Sequence, residues 1–194
     1  MPPIETQQIN VHPAGVEELP AFTPREFRDA MGRFATGVVV VSTELDGSAH
    51  AMTANAFMSG SLEPPLVIIS IAHTARMLAK IRASQVFGIS ILAHVQQNCS
   101  NHFAGKPQSD NPPVFERLGE LPVIAGATLQ LAAKVVHDYA CGDHALFVGQ
   151  VRTLRSGDGR PLLFHGGKYH HLAAADWSAE SVPGGFWHDG HERW

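Results

Sequence analysis

The chain has 194 residues, of which 44% are hydrophobic and 16% charged, so it can form one folded domain with a substantial core. A formal net charge of −4 without a basic stripe argues against nucleic-acid binding and favours a small-molecule ligand. Two cysteines cannot form a disulfide framework, and the sequence shows neither a signal peptide nor an apolar run that could span a membrane, which together predict a cytoplasmic protein.

The first part of the chain predicts an arm followed by a helix. Residues 1–22 are polar and contain several prolines, which is typical of a loose arm; the domain is expected to cover 23–175, and the tail 176–194 has no assigned structure. Thr23, Pro24 and Glu26 form the pattern of a helix start. The apolar residues that follow are spaced as on a helix, so the helix is expected to lay an apolar stripe on the core: Phe27, Ala30, Met31 and Phe34.

Beyond this helix, the pattern alternates strands with short helices. Strands are predicted at 38–43, 66–71, 86–92, 127–137, 144–154 and 162–172, with a hairpin turn at 45–48. Helices are predicted at 75–82, capped by Thr74, and at 94–103, and a single helical turn at 114–118. Six or seven hairpin-linked strands with short helices predict a mainly β fold, an antiparallel β-barrel with helical decoration.

Small and hydroxyl residues are concentrated between two apolar strand-like runs, from Ala49 to Ser61. Such residues let the backbone approach a flat ligand closely and offer it short hydrogen-bonding groups. This segment therefore predicts a ligand-lined turn.

Familiar catalytic motifs are missing from the sequence. No Gly-x-Gly-x-x-Gly follows a strand, and no phosphate-binding loop occurs, so any nucleotide must be held in another way. The twelve histidines lack metal-ligand spacing, which predicts no bound metal. No serine stands in a nucleophile elbow, and Cys141, although close to His144 in sequence, is better explained as a structural residue than as a nucleophile.

Six blocks in order resemble the flavin reductase domain family, the small reductase components of two-component flavin-dependent monooxygenases. The resemblance spans about residues 23–172 and is carried by Phe27–Val38, Met52–Phe57, Ser61–Val67, His102–Gly105, Cys141–Gly149 and Pro161–Tyr169. It implies an FMN-binding split β-barrel, Greek-key-like, that forms a homodimer. It also implies that the protein reduces FAD or FMN with NADH or NADPH.

The resemblance also implies a set of site residues. The isoalloxazine ring is expected along Met52, Thr53, Ala54, Asn55, Ala56 and Ser59, bordered by Thr36 and Gly37. Ser70, Ala72 and Arg76 are expected at the ribityl and phosphate groups, and Phe103, Ala104, Gly105 and Lys106 beside the tail of the flavin. His144, with Tyr169 nearby, is expected to face the nicotinamide.

Simpler roles remain open for several of these residues. His144 could be a strand-start histidine, Arg76 an exposed helix charge, and Thr53 and Asn55 turn caps. The family often has Arg where this chain has Lys168, and this difference leaves the choice between NADH and NADPH open. The sequence has no basic cluster for a 2′-phosphate, which favours NADH over NADPH.

The expected function is that of a reductase that passes reduced flavin to a separate monooxygenase. The alternatives are a flavin-binding split-barrel module without turnover, and a barrel that binds another redox cofactor or haem.

Overall fold

The computed structural model describes residues 21–107, 110 and 112–173. Almost all of the expected arm, 1–20, and the expected tail, 176–194, lie outside the described residues, together with 174–175. Within the described residues there are three α-helices, the last one preceded by a 3-10 turn at His94–Gln96: α1 (Pro24–Met31), α2 (Arg76–Ser84) and α3 (Gln97–Phe103).

The same residues contain twelve strands rather than the six or seven expected. They are β1 (Thr36–Gly37), β2 (Val39–Leu45), β3 (Ser48–Ala54), β4 (Phe57–Ser61), β5 (Leu66–Ala72), β6 (Val86–Ile91), β7 (Phe115–Leu118), β8 (Leu121–Ile124), β9 (Leu129–Cys141), β10 (His144–Ser156), β11 (Leu162–His165) and β12 (Lys168–His171).

Seven strands form one antiparallel sheet in the order β3-β2-β6-β9-β10-β5-β4. Its edge strands, β3 and β4, follow each other in the chain but share no ladder, so the sheet is an open, split barrel. Inward side chains from both halves, such as Val41 of β2 and Ile69 of β5, meet in one buried cluster with Phe87 and Phe147. Helix α2 adds Met77 and Ile81 to this cluster. The prediction of a mainly β, antiparallel split barrel with short helices is confirmed.

A second cluster lies on the other side of β2. Because side chains alternate along a strand, Val38 and Val40 point away from the barrel interior and contact Leu92, Cys99 of α3 and Leu162 of β11. A three-stranded sheet, β1-β11-β12, covers this side. The barrel therefore carries an outer layer built from α3 and the closing hairpin.

Three local predictions were wrong. Residues 115–118 form strand β7, because Gly119 at φ 58° turns the chain so that β7 pairs with β8. The run 162–172 is two strands, because Gly166 and Gly167 adopt positive φ angles of 56° and 76°. Helix α2 begins after Ala75, and Thr74 does not cap it.

The prediction for the segment 49–61 also needs correction. Instead of one long turn, the chain forms β3 and β4, and only Asn55 and Ala56 separate them. Each strand pairs with an apolar neighbour, β3 with β2 and β4 with β5, and these ladders extend the strand conformation into the small residues. The turn is therefore reduced to two exposed residues at the open seam of the barrel.

Helix α1 has the predicted start but not the predicted burial. The Thr23 hydroxyl accepts a hydrogen bond from the Glu26 N–H at 3.2 Å, and the Glu26 carboxylate accepts one from the Thr23 N–H at 2.7 Å. The second bond lowers the pKa of Glu26. No residue of α1 is buried, and Phe34, just beyond it, is 76% exposed. The apolar stripe therefore does not pack on the core of the chain that carries it.

Candidate functional site

The outer face of β5 and β10 forms the floor of the candidate site. Along both strands, buried and half-buried residues alternate, so one face of the sheet packs in the core and the other is only partly covered. The partly covered face holds Ile68 and Ser70 on β5 and Leu146 on β10, and Ser70 pairs directly with Leu146. A largely apolar sheet face is thereby left open.

A groove of about 1110 Å³ lies over this face. Helix α1, the seam between β3 and β4, and the turn of the closing hairpin complete its walls. The lining residues are Arg28, Asp29, Met31, Gly32, Phe34, Thr36, Asn55, Ala56, Phe57, Met58, Ile68, Ser70, Leu146, Phe164, Gly166 and Gly167. Since ligand pockets usually measure ~300–1,000 Å³, this groove has room for more than one ring system.

Four predicted site residues meet in this groove: Thr36, Asn55, Ala56 and Ser70. The Ser70 N–H donates to the Ala56 carbonyl at 3.1 Å, which fixes the seam against β5. The Thr36 hydroxyl is buried and has no hydrogen-bond partner in the described part of the chain. A buried hydroxyl without a partner is costly, and a rotation of the Thr36 side chain towards the groove would let it bond a polar ligand atom.

A second group of predicted residues surrounds Ser100 of α3 and does not line the groove. The Thr53 hydroxyl donates to the Ser100 carbonyl at 2.7 Å, and the Tyr169 hydroxyl bonds the Ser100 hydroxyl at 2.8 Å. Phe103 packs in the outer cluster with Tyr169. These contacts join β3, α3 and β12 and hold the segment before Asn55 in place.

The remaining predicted residues next to these groups have simple local environments. Met52 and Ala54 pack against the inner core, whereas Gly37 and Ser59 are exposed. Ala104, Gly105 and Lys106 end α3, where Gly105 has a φ of 87° and the Lys106 N–H donates to the Asn101 carbonyl at 3.0 Å. None of these residues lines the groove.

His144 opens β10 on the face that forms the groove floor. It pairs with Ala72 of β5, and it stands two residues before Leu146, so the two side chains lie on the same face. The His144 Nδ1 donates to the Asp143 carboxylate at 2.7 Å. This hydrogen bond and the charge of His144 lower the pKa of Asp143. The bond leaves Nε2 as the free ring nitrogen, and 40% of the His144 side chain is exposed.

Arg76 stands at the first turn of α2, four residues after Ala72. Its side chain is exposed, and no hydrogen bond or ion pair engages it within the residues that the structure describes. A guanidinium in this position can bind an anionic group that reaches the end of β5.

Sequence reasoning missed most of the groove lining. The sequence carries a signal for part of it, since α1 has an apolar stripe and the small residues Ser70 and Ala72 alternate with Ile69 and Ile71. The pairing of Ser70 with Leu146 joins residues 76 positions apart, and no single segment reveals it. The turn at Gly166 and Gly167 forms one wall of the groove, and two adjacent glycines do not by themselves indicate such a role.

No group of three or more His, Cys, Asp or Glu side chains could hold a metal ion among the described residues. In the same part of the chain, no helix has both the length and the apolar character needed to cross a membrane. A smaller pocket of about 470 Å³, between α3 and the β8–β9 turn, contains none of the predicted site residues.

Together, the split barrel and its large, mostly apolar groove are typical of a protein that binds a cofactor without a Rossmann unit. The sequence model of the flavin reductase like domain matches residues 31–173, and the chain belongs to that family.

Known proteins of this kind resemble the chain closely. An NADH-dependent flavin reductase from Rhodococcus sp is 46% identical over 156 residues, which cover 79% of this chain and 89% of that protein. The reductase component of 4-hydroxyphenylacetate 3-monooxygenase from Thermus thermophilus is 36% identical over 147 residues, 75% of this chain and 95% of that one. The structure of flavin reductase PheA2 in its native state superimposes with a TM-score of 0.76 at 49% identity, covering 78% of this chain and 99% of that one.

Proposed function

We propose that the protein is an NADH-dependent flavin reductase that supplies reduced flavin to a monooxygenase. The observation that carries the proposal is the large groove with an apolar sheet floor, a seam of small residues and one unpartnered buried hydroxyl. The relatives named above are reductases, which favours turnover over the alternative of a non-catalytic flavin-binding module.

The groove residues are proposed to hold the flavin ring. The Thr36 hydroxyl would bond a polar atom of the ring, while Asn55 and Ala56 offer backbone groups and Ser70 a short hydroxyl. Met52, Thr53 and Ala54 would act by fixing the strand before the seam. Gly37 and Ser59 border the same region, and Tyr169 would act through its packing, since its hydroxyl already bonds Ser100.

The flavin phosphates are proposed to lie towards the end of β5. Ala72 leaves space there, and the Arg76 guanidinium would bind a phosphate through charge-assisted hydrogen bonds. The end of α3, formed by Phe103, Ala104, Gly105 and Lys106, would flank the tail of the flavin.

His144 is proposed to orient the nicotinamide through its free Nε2. The Asp143 carboxylate accepts a hydrogen bond from Nδ1, so Nε2 is the ring nitrogen that would be available to the nicotinamide. When both cofactors are bound, they supply the hydride-transfer chemistry, and the protein supplies their orientation. Orientation of two reactants can contribute on the order of 7–11 kcal/mol.

Hydride transfer between two cofactors needs no nucleophile, metal or acid–base triad in the protein. The lining of the groove is compatible with such a reaction, since most of its side chains are apolar or small. Its charged members, Arg28 and Asp29, belong to α1. An apolar wall also excludes water from the reacting rings.

The exposed apolar residues are proposed to form a homodimer interface. Phe27, Met31 and Phe34 are at least half exposed, and Met58 on the edge strand β4 is 58% exposed. A patch of this kind marks an interaction surface in soluble proteins. Light scattering should give twice the chain mass of 20.9 kDa, and Phe34→Glu should shift it towards the single chain.

The protein is further proposed to act in the cytoplasm and to release its reduced flavin to the monooxygenase by diffusion. NADH is the proposed donor rather than NADPH. FAD and FMN are both proposed as acceptors, because the groove residues named above address parts that the two flavins share.

One assay tests the proposal. Purified protein with NADH should consume it, followed at 340 nm, only after FAD or FMN is added. The assay is repeated with NADPH. If oxidation of NADH and of NADPH stays at the rate without enzyme with both FAD and FMN, the reductase assignment fails. For His144→Ala we expect a larger loss in the use of NADH than in flavin binding; equal losses would contradict the assigned role.

A further inference from the structure

The hairpin β9–β10 places an aromatic pair beside the groove floor. The ladder sets Tyr139 directly opposite Leu146, and it sets Leu146 opposite Ser70 on its other side. These three residues therefore form one row across the sheet. Adjacent strands lie ~4.8 Å apart, so Tyr139 stands about 10 Å from Ser70 across two ladders.

The direction of the Tyr139 side chain follows from its neighbour. Asp138 points towards α2, where its carboxylate accepts a hydrogen bond from Arg82 Nε at 2.8 Å. Because neighbours on a strand point to opposite faces, Tyr139 lies on the face away from α2. Leu146 lines the groove from that same face.

Tyr139 stacks on a neighbouring side chain and remains partly exposed. Its ring stacks on His137 with centroids 5.4 Å apart and planes inclined by 18°. A β-bulge between Val148 and Gly149 lies next to His137 in the ladder, where the strand continues beyond the buried core. Tyr139 remains 46% exposed despite the stack. The pair is thus a partly exposed aromatic surface next to Leu146 of the groove floor.

We propose that Tyr139, supported by His137, is the stacking surface for an adenine ring. This inference rests on the proposed function, because a nicotinamide dinucleotide or FAD supplies the adenine. Aromatic side chains stack on every nucleobase and need no hydrogen-bond pattern to do so. A dinucleotide that reaches His144 with its nicotinamide is long enough to extend along this face to the next strand.

The experiment compares substrates with and without adenine. NADH oxidation is measured with FMN as the flavin, so that NADH is the only source of adenine, and again with reduced nicotinamide mononucleotide, which has none. A third series uses FAD in place of FMN. The variants are Tyr139→Ala, Tyr139→Leu, which keeps bulk without the ring, and Tyr139→Phe, which keeps the ring. Leu154→Ala, at an exposed position towards the other end of β10, is the control.

The expected result is a KM for NADH raised roughly fivefold to 150-fold in Tyr139→Ala and Tyr139→Leu, the range that corresponds to losing one base–aromatic stack of about 1–3 kcal/mol. Tyr139→Phe and the control should keep the KM, and the mononucleotide should be used equally well by all variants. A rise in the KM for FAD alone, with FMN unaffected, would support the same surface with FAD as the source of the adenine.

Three results would overturn the inference: unchanged KM values for NADH and FAD, an equal loss with the mononucleotide, or a loss of dimer mass without a change in KM. The last would assign Tyr139 to a contact with a second copy. A wild-type protein that fails to oxidise NADH in the presence of flavin would instead refute the proposed function, so the two failures are distinguishable.

Discussion

Replacing Thr36 by valine should have opposite effects on stability and on flavin binding. The hydroxyl is buried in the groove wall without a hydrogen-bond partner among the described residues. Valine has the same shape and lacks the hydroxyl. The free protein should therefore become more stable, while a flavin that bonds this hydroxyl should bind less tightly.

The two magnitudes follow from ordinary hydrogen-bond energetics. An unsatisfied buried polar group costs about 1–3 kcal/mol, and that cost disappears in the variant. For a chain of this length, each kcal/mol corresponds to a change in Tm of about 2–4 °C. Loss of one neutral hydrogen bond to the flavin costs ~0.5–1.5 kcal/mol, which weakens binding about twofold to twelvefold.

The assay pairs thermal unfolding of the flavin-free protein with a flavin titration. Thr43→Val is the matched control, because the Thr43 hydroxyl is fully buried and bonds both the Ser84 hydroxyl at 2.8 Å and the Val86 carbonyl at 2.9 Å. That variant should lose stability and keep its flavin affinity. If Thr36→Val lowers the Tm, or leaves flavin binding unchanged, the hydroxyl is already satisfied or faces no ligand, and the reasoning is refuted.

Three further predictions concern single side chains. Gly149→Ala should lower the stability by ~1–3 kcal/mol or more in chemical denaturation, because a Cβ there would lie 2.4 Å from the buried ring of Phe87; an unchanged midpoint would contradict the packing. His144→Ala should raise the pKa of Asp143, because the variant loses the hydrogen bond that favours the ionised carboxylate; an NMR titration measures this pKa. In the wild type the bond is present at neutral pH and is lost as the pH falls through the lowered pKa of Asp143. In the folded protein at pH 8, the exposed Cys141 should react with a thiol reagent and the buried Cys99 should not, because burial raises the pKa of Cys99 to about 11. Two reactive thiols before unfolding would refute this.

The predictable parts of the fold are those that short segments specify. The Thr23–Glu26 pattern fixes the start of α1, and the β-branched run at 38–43 fixes most of β2. Residue patterns predict the antiparallel barrel, whereas the split-barrel form and the flavin ligand follow only from the ordered family blocks. Each of these features depends on residues within a few positions of one another, or on several short blocks that occur in a fixed order along the chain.

The features that escaped prediction depend on long-range pairing. Phe115–Leu118 is apolar enough for a helical turn or a strand, and its pairing with Leu121–Ile124 decides between them. Whether the stripe of α1 is buried depends on what packs against it, which its spacing does not record. Likewise, Ser70 meets Leu146 only because β5 and β10 are neighbours in the sheet.

An apolar surface at α1 is left exposed on an otherwise well-packed barrel. A large apolar side chain that stays in water forgoes ~1.5–3 kcal/mol of burial energy, and Phe34 and Met31 are both more than half exposed. Met31 also lines the groove, so α1 belongs to the binding site and to the proposed dimer interface together. Binding of flavin in the groove and dimer formation through α1 are therefore coupled, and by linkage each changes the affinity of the other by the same factor. A dimer formed through α1 should bind flavin more tightly than the single chain, and flavin should tighten the dimer by the same factor.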